Sequence, residues 1–379
     1  MSVTLWEEQL DGGFLLRHIP VGNSPSHSGQ RAGCAMAALM KVARVYDFDD
    51  IRIELMPRPQ VGPRELLVQV KASGICSGDV TPWYIKRKAG KVLGHEPAGV
   101  VVEVGAEVTG FHVGDPVFVH HHAPCFNCKF CEKGEYVQCA TWKASHIVPG
   151  AIAEYFLVPE VNLRDTLRLP EGMSFEDGAL VEPVACAVKA IRKARPHPRD
   201  TVLIIGLGIM GQMNLLLARQ AGVERIIGAD LVDWRCAKAL EFGADAVINP
   251  TREDLVERLA ELTDGAMADI VIVGPGNVQV MELGLRCAGK GGTVVFFMGS
   301  APGERLTLEP FHMYFNEIDL LMSYSCGPDD TRAALQFIAD GVLTAEKLVT
   351  HRYLLEDTPL GFRKMAEAQD VLKAQIIFP

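Results

Sequence analysis

Four cysteines crowd one short stretch of this chain: Cys125, Cys128, Cys131 and Cys139, spaced C-x2-C-x2-C-x7-C. Thiolates this close in sequence can close a tetrahedral site with bonds of about 2.3 Å, which suits a structural zinc. The segment between them has little apolar content of its own, so metal binding would supply its folding energy. An iron–sulfur cluster is the main rival, but bacterial ferredoxin spacing closes on x3-C-P, and here Ala140 follows Cys139. Disulfides rank third in a chain read as cytoplasmic. Cys186, Cys236, Cys287 and Cys326 lie in apolar or helical contexts and read as small core residues. His120, His121 and His122 read as packing groups, since neighbours on a strand point to alternate faces.

A second chemical signal is the run Gly206-Leu207-Gly208-Ile209-Met210-Gly211. It follows the apolar strand pattern TVLIIG and opens a helical pattern, QMNLLLARQAG, which is the context a dinucleotide-binding turn requires. Glycines there allow a tight turn, close approach of a pyrophosphate and close helix packing, and the helix N-terminus favours the phosphate charge. Asp230 closes the next strand, roughly 20 residues beyond the last glycine. A carboxylate at that place accepts hydrogen bonds from both ribose hydroxyls and repels a 2′-phosphate, so the pattern selects NAD over NADP. Arg235 could meet a 2′-phosphate or stack on adenine, but Asp230 is expected to point at the ribose. Gly274 and Met298 end later strands on the same side, within reach of the nicotinamide by backbone contact.

The elements that must position these groups fall into two kinds. From Met40 to about Pro170 the segments are short, β-like and punctuated by glycine and proline, as in LLVQVKAS, AGVVVEVG and DPVFVH. They predict an antiparallel sheet or partial barrel. Beyond Ser174, continuous apolar runs at 201–206, 225–230, 269–274, 292–299 and 319–324 alternate with helical stretches. Strands covered on both faces read this way, so this half is expected to be a doubly wound parallel sheet, an α/β arrangement added to the β one. Residues 1–39 differ from both. Val21–Gly33 is polar and turn-rich, and the whole lead-in is expected to be disordered, with no function assigned.

Three further places complete the set: Cys76 in GICSGD, His95 and Glu96 in LGHEPAG, and Glu182 in ALVEPVACAV. Each alone is weak. Their order and flanking glycines, together with the four-cysteine loop and the nucleotide motif, closely resemble the zinc-containing medium-chain dehydrogenases from about Met40 to the C-terminus. Within that family the chain is most similar to the sorbitol and threonine dehydrogenase branch, because Glu182-Pro183 stands where alcohol dehydrogenases place a third cysteine ligand. The resemblance implies a GroES-like catalytic domain at 40–184, partly open as a β-barrel and carrying both zinc sites. It implies a Rossmann NAD-binding domain at 185–325, a return to the catalytic domain at 326–379, and a homodimer or homotetramer. It also implies two Zn2+ per subunit. Cys76 and His95 would hold the catalytic ion, with Glu96 and Glu182 as acidic ligands or near-ligands that exchange with water.

A zinc with an open position acidifies a bound hydroxyl, which is the step an alcohol dehydrogenase needs. The reaction expected is hydride transfer from a secondary alcohol to NAD+, giving a ketone. The donor would be a polyol, an amino alcohol or a similar small hydroxylated metabolite. Two departures from the family pattern bear on this. Relatives usually carry Ser or Thr two residues after the first cysteine ligand and often His three further on, where this chain has Gly78 and Thr81. The proton relay is therefore assigned to Thr81, Ser77 or ordered water. The Arg-Tyr pair of sorbitol dehydrogenases is replaced by Ser323-Tyr324-Ser325-Cys326, which counts against sorbitol itself. The rivals are a primary-alcohol or aldehyde-adduct dehydrogenase of the same fold, and a non-catalytic nucleotide-binding zinc protein.

The bulk properties narrow the classes. A chain of 379 residues exceeds one ordinary core, and 48% hydrophobic with 22% charged residues is a globular composition. A formal net charge of −10 argues against a nucleic-acid surface. No apolar run reaches the ~18 residues of a membrane span, and the N-terminus lacks the order of a signal peptide, so a cytoplasmic location is expected.

Overall fold

Strand Leu66–Gly74 organises the first half of the molecule, since it pairs with strands on both sides and contributes a run of buried side chains. The computed structural model describes residues 38–379, together with the backbone of Ser2–Glu8 and Phe14–Pro20. Those two segments form an antiparallel pair, so the lead-in expected to be disordered holds two strands. Their Val, Thr, Ile and aromatic content explains the strand choice. Val21–Gly33 lies outside the described residues, and Met1–Ala37 forms a unit of its own.

In the main unit, a seven-stranded sheet runs Val349–Leu354, Lys373–Ile377, Leu66–Gly74, Pro97–Val104, Pro116–Val119 and Thr166–Arg168, with Tyr155–Val158 also on Leu66–Gly74. Most pairings are antiparallel, and a two-stranded ribbon, Leu39–Asp47 with Asp50–Pro57, adds to this half. The last strand of the chain thus returns to the first sheet, pairing Gln375, Ile376 and Ile377 with Gly74, Ser73 and Ala72. Val68, Val70, Val101, Val117, Phe156 and Ile376 fill the interior.

The second sheet is wholly parallel and has six strands in the order Ala246–Ile248, Arg225–Ala229, Thr201–Ile205, Ala268–Val273, Ala288–Phe296, Asp319–Met322. Numbered by position within this half, that is 3-2-1-4-5-6, the doubly wound order whose reversal point lies beside the first strand. The outer strand Ala246–Ile248 had no signal in the apolar pattern because it is only three residues long. Helix Val181–Ala194 links the two sheets. Pro183 is tolerated in its first turn, and Arg195 ends it in a left-handed conformation at φ 53°. Its buried face, including Leu180, Val184 and Ala187, packs in one cluster with Met213, Leu217, Ala334 and Ile338 from the helices Ile209–Gln220 and Pro328–Ala339. No helix among the described residues is long and apolar enough to cross a membrane.

Candidate active site

The four-cysteine loop folds back so that all four sulfurs lie within 4.8 Å of one another. Cys125 and Cys131 are 3.9 Å apart, Cys128 and Cys131 3.5 Å, and Cys139 and Cys125 3.6 Å. A tetrahedron with bonds of about 2.3 Å has edges of about 3.8 Å, so these donors fit a zinc. Short helical turns at Lys129–Glu132 and Tyr136–Gln138 bring the sulfurs round. Backbone N–H groups help: burial raises the Cys139 thiol, yet the donors of Cys125 and Trp142 outweigh it and bring it down to about 6. Apart from Val137, Trp142 and the partly buried Tyr136, the loop has little to pack on.

Cys76, His95 and Glu96 also converge, with one donor atom each inside 4.8 Å. Cys76 starts a tight turn just past strand Leu66–Gly74, and the Gly78 N–H donates to its sulfur at 3.3 Å. His95 and Glu96 lie just before strand Pro97–Val104, after Gly94 at φ 94°. A Cβ on Gly94 would come within 2.4 Å of the Ile152 nitrogen, so only glycine lets the chain pass. Behind His95 stands Asp79, whose Oδ2 is 3.5 Å from Nδ1 and whose Oδ1 accepts from the Lys88 Nζ at 2.5 Å. Behind Glu96 stands Lys373, a fully buried amine that pairs with its Oε2 and donates to the Ile75 carbonyl at 2.9 Å. Gly74 leaves room for that pair, since a Cβ there would fall 1.8 Å from the Glu96 Oε2.

The protonation pattern suits a cation. Burial pushes the Cys76 thiol well above its usual range, with the Glu96 and Asp79 carboxylates adding to the effect. Burial likewise raises Glu96 against the pull of Lys373. It pushes His95 down to about 3, which leaves the imidazole neutral. A divalent ion among these donors would reverse the cost of ionising both acids, so the residues fit a zinc here as well. Asp79 and Lys373 went unread in the sequence. Asp79 lies inside the quoted GICSGD, three residues after Cys76, but Lys373 sits in a strand with no motif around it.

Glu182, expected as a ligand or near-ligand, stands just outside this trio, near enough that the Glu96 carboxylate adds to the burial that raises its carboxyl to about 7. Its carboxylate groups instead with the His120 ring and the Cys326 sulfur, three donor atoms within 4.8 Å and all buried. The Cys186 Sγ, one helical turn beyond Glu182, lies 3.7 Å from Oε1. The histidine triplet, read as strand residues, lies past the end of strand Pro116–Val119. Asn162 holds the carbonyls of His120 and His121, the His120 ring turns toward Asp165, and the His121 ring lies 4.9 Å from that of His95. Thr81 caps the short helix Pro82–Ile85, and its side chain makes no capping bond.

At the nucleotide motif, Gly206 takes φ 90° and Gly208 stands at the N-cap of helix Ile209–Gln220. A Cβ on Gly211 would come 1.9 Å from the Gly206 carbonyl oxygen, so helix and turn touch only because that residue is glycine. Leu207 and Ile209 are buried and serve the core, while Met210 and the two glycines Gly206 and Gly208 are half-buried. Asp230 accepts the Leu207 N–H at 2.7 Å and the Val232 N–H at 2.9 Å. It therefore braces the glycine turn, and each oxygen keeps a second lone pair for a ribose hydroxyl. Arg235 lies 3.8 Å from the same carboxylate. The Gly274 N–H donates to the Ile205 carbonyl at 2.9 Å, and Met298 lies beside Gly276 at the strand ends.

Fold and site together define a two-sheet dehydrogenase with two zinc-binding groups and a dinucleotide turn. Residues 62–171 match the alcohol dehydrogenase GroES-like domain, and residues 210–340 match the zinc-binding dehydrogenase family. The L-threonine 3-dehydrogenase of Pyrococcus horikoshii is 31% identical over 353 residues, covering 89% of this chain and 96% of that protein. The sorbitol dehydrogenase of Bacillus subtilis is 28% identical, covering 90% and 97%. A zinc-binding dehydrogenase from Sinorhizobium meliloti, solved bound to NADP, superimposes with a TM-score of 0.81 at 28% identity, covering 90% of this chain and all of that one. The chain belongs to the zinc-dependent medium-chain dehydrogenases, in the branch of the sorbitol and threonine enzymes, and is an alcohol dehydrogenase using zinc and NAD.

Proposed function

We propose that this enzyme oxidises the secondary hydroxyl of a small polyol, amino alcohol or similar metabolite to a ketone, with NAD+ as hydride acceptor. The observation that carries the reading is the convergence of Cys76, His95 and Glu96 from two separate turns, each donor braced by a further group. Zinc held by those three residues would supply Lewis acidity toward a hydroxyl oxygen. The chain's own residues do the positioning. Asp79 fixes the ring of His95 through Nδ1, the Gly78 N–H steadies the Cys76 sulfur, and Lys373 holds the Glu96 carboxylate. Asp230 keeps the glycine turn open for a pyrophosphate and offers its second lone pairs to the ribose.

The hydroxyl proton needs an exit, and Gly78 has no side chain to take it. We assign that relay to Thr81, with Ser77 or water as the alternative. Catalytic residues at 40–184, a nucleotide-binding segment at 185–325 and a returning segment at 326–379 belong to the same reading, supported by the strand pairing of Lys373–Ile377 with Leu66–Gly74. So do a cytoplasmic location and a homodimer or homotetramer. Exposed Phe311, Tyr314 and Phe315 beside the edge strand Asp319–Met322 support association, which light scattering would read as a multiple of the 41.3 kDa protomer.

A panel of polyols, amino alcohols and simple secondary and primary alcohols, assayed for NADH formation, tests the activity. Turnover of at least one secondary alcohol is expected, falling about a thousandfold or more in Cys76→Ala. No turnover of any alcohol would overturn the proposal. More than about a tenfold preference for NADP+ would overturn the role given to Asp230.

A further inference from the structure

The consecutive histidines past strand Pro116–Val119 are not held alike. The His120 ring is pinned through Nδ1 to the Asp165 Oδ2 at 2.6 Å, and the His122 ring through Nδ1 to the Ser145 carbonyl. His121, between them, has a buried Nδ1 that meets no hydrogen-bond partner among the described residues. Its ring lies 4.9 Å from the ring of His95, one of the donors of the Cys76 group. On the reading that the Cys76 group holds the reacting hydroxyl, we propose that His121 determines substrate specificity. Its ring hydrogen-bonds a second polar group of the substrate, a hydroxyl or an amine on the carbon next to the one oxidised.

Buried polar atoms are nearly always hydrogen-bonded, and an exception beside a reaction centre calls for a partner. Two other exceptions close by are already answered within the protein. Asn162 leaves its Oδ1 free, but its amide nitrogen donates to the His120 and His121 carbonyls, and the Glu96 Oε2 is paired with Lys373. Nothing in the protein answers the His121 Nδ1. Packing fixes the ring without satisfying it. The His121 carbonyl is tied to Asn162 at 3.1 Å, and the rings of His120 and His122 stand 5.2 and 4.2 Å away. A side chain already held in place costs a ligand little in ordering entropy.

Chemistry narrows the ligand. An imidazole nitrogen donates or accepts according to its tautomer; a hydroxyl answers in either sense, and an amine by donating. A methyl or methylene group answers in neither and leaves the nitrogen unpaired. Sites built around such a bond reject analogues lacking the polar group far more strongly than apolar pockets reject an extra methylene. The amines of Lys88 and Lys373 are already paired, with Asp79 and Glu96, which leaves His121 as the uncommitted polar side chain beside His95. A substrate whose reacting hydroxyl sits at the Cys76 group has its neighbouring carbon beside that ring.

The zinc-loaded, full-length enzyme is assayed with NAD+ on alcohols of equal chain length: a vicinal diol, the matching amino alcohol and the mono-alcohol. In the wild type, kcat/KM for the diol or the amino alcohol should exceed that for the mono-alcohol by about a hundredfold, and whichever is favoured identifies the group that His121 bonds. That ratio should fall below about tenfold in His121→Phe, chiefly through KM, and recover in part in His121→Asn. Equal treatment of all the alcohols by the wild type, or an unchanged ratio in His121→Phe, sinks the proposal. Nitrogen NMR of histidine-labelled wild type gives a readout that does not depend on turnover. The His121 ring signal should shift on adding the favoured ligand and stay in place with the mono-alcohol. No shift with either bifunctional alcohol refutes the role, even where the variants do not fold. If no alcohol is turned over, the activity reading falls, and the NMR shift alone decides this one.

Discussion

The Cys125–Cys139 loop collects four donors from one continuous segment, whereas the Cys76 group takes one donor from the turn after Leu66–Gly74 and two from the turn before Pro97–Val104. The loop surrounds its sulfurs with backbone N–H groups and a small cluster around Trp142. The Cys76 group is instead backed by side chains of opposite charge, with Asp79 and Lys88 behind His95, and Lys373 behind Glu96. A loop of the first kind depends on its metal to fold. A group of the second kind is preformed by the sheet that carries it, and its weakness lies in the charged groups that must stay paired.

The largest expected effect therefore comes from Lys373→Met. Removing the buried amine leaves Glu96 without its partner, at about 3–5 kcal/mol, and should lower the thermal midpoint while the zinc of the cysteine loop is retained. Equal loss of both metals would show that the two groups are not independent. A smaller effect is expected for Asp79→Asn, which keeps the shape but weakens the hold on the His95 ring. Zinc affinity at the Cys76 group should fall about 10–100-fold in a chelator competition, with the loop unchanged. An unaltered affinity would mean that His95 is held by packing alone.

Much of this was legible from residue order. The four cysteines are near neighbours in sequence, and the glycine turn follows its strand directly, so both are local and their chemistry shows in their spacing. The alternation of apolar runs with helical stretches gave the parallel sheet for the same reason, apart from the three-residue strand Ala246–Ile248. Cys76, His95 and Glu96 came into view only through the resemblance to the zinc-containing dehydrogenases, since each of their turns is weak evidence alone.

Residue order alone determined which groups could bind metal and dinucleotide; the tertiary structure decided which of them meet. Lys373 reaches Glu96 only because the last strand of the chain pairs with Leu66–Gly74. Glu182 stands beside the Cys76 group with His120 and Cys326 as its closest donors, because helix Val181–Ala194 and the segment after Met322 pack against the end of strand Pro116–Val119. Cys186 and Cys326 looked like core filler, and His120 like a strand residue, since nothing in their local sequence marks a partner far along the chain. Contacts of this kind depend on strand order and helix packing, which one-dimensional spacing does not encode.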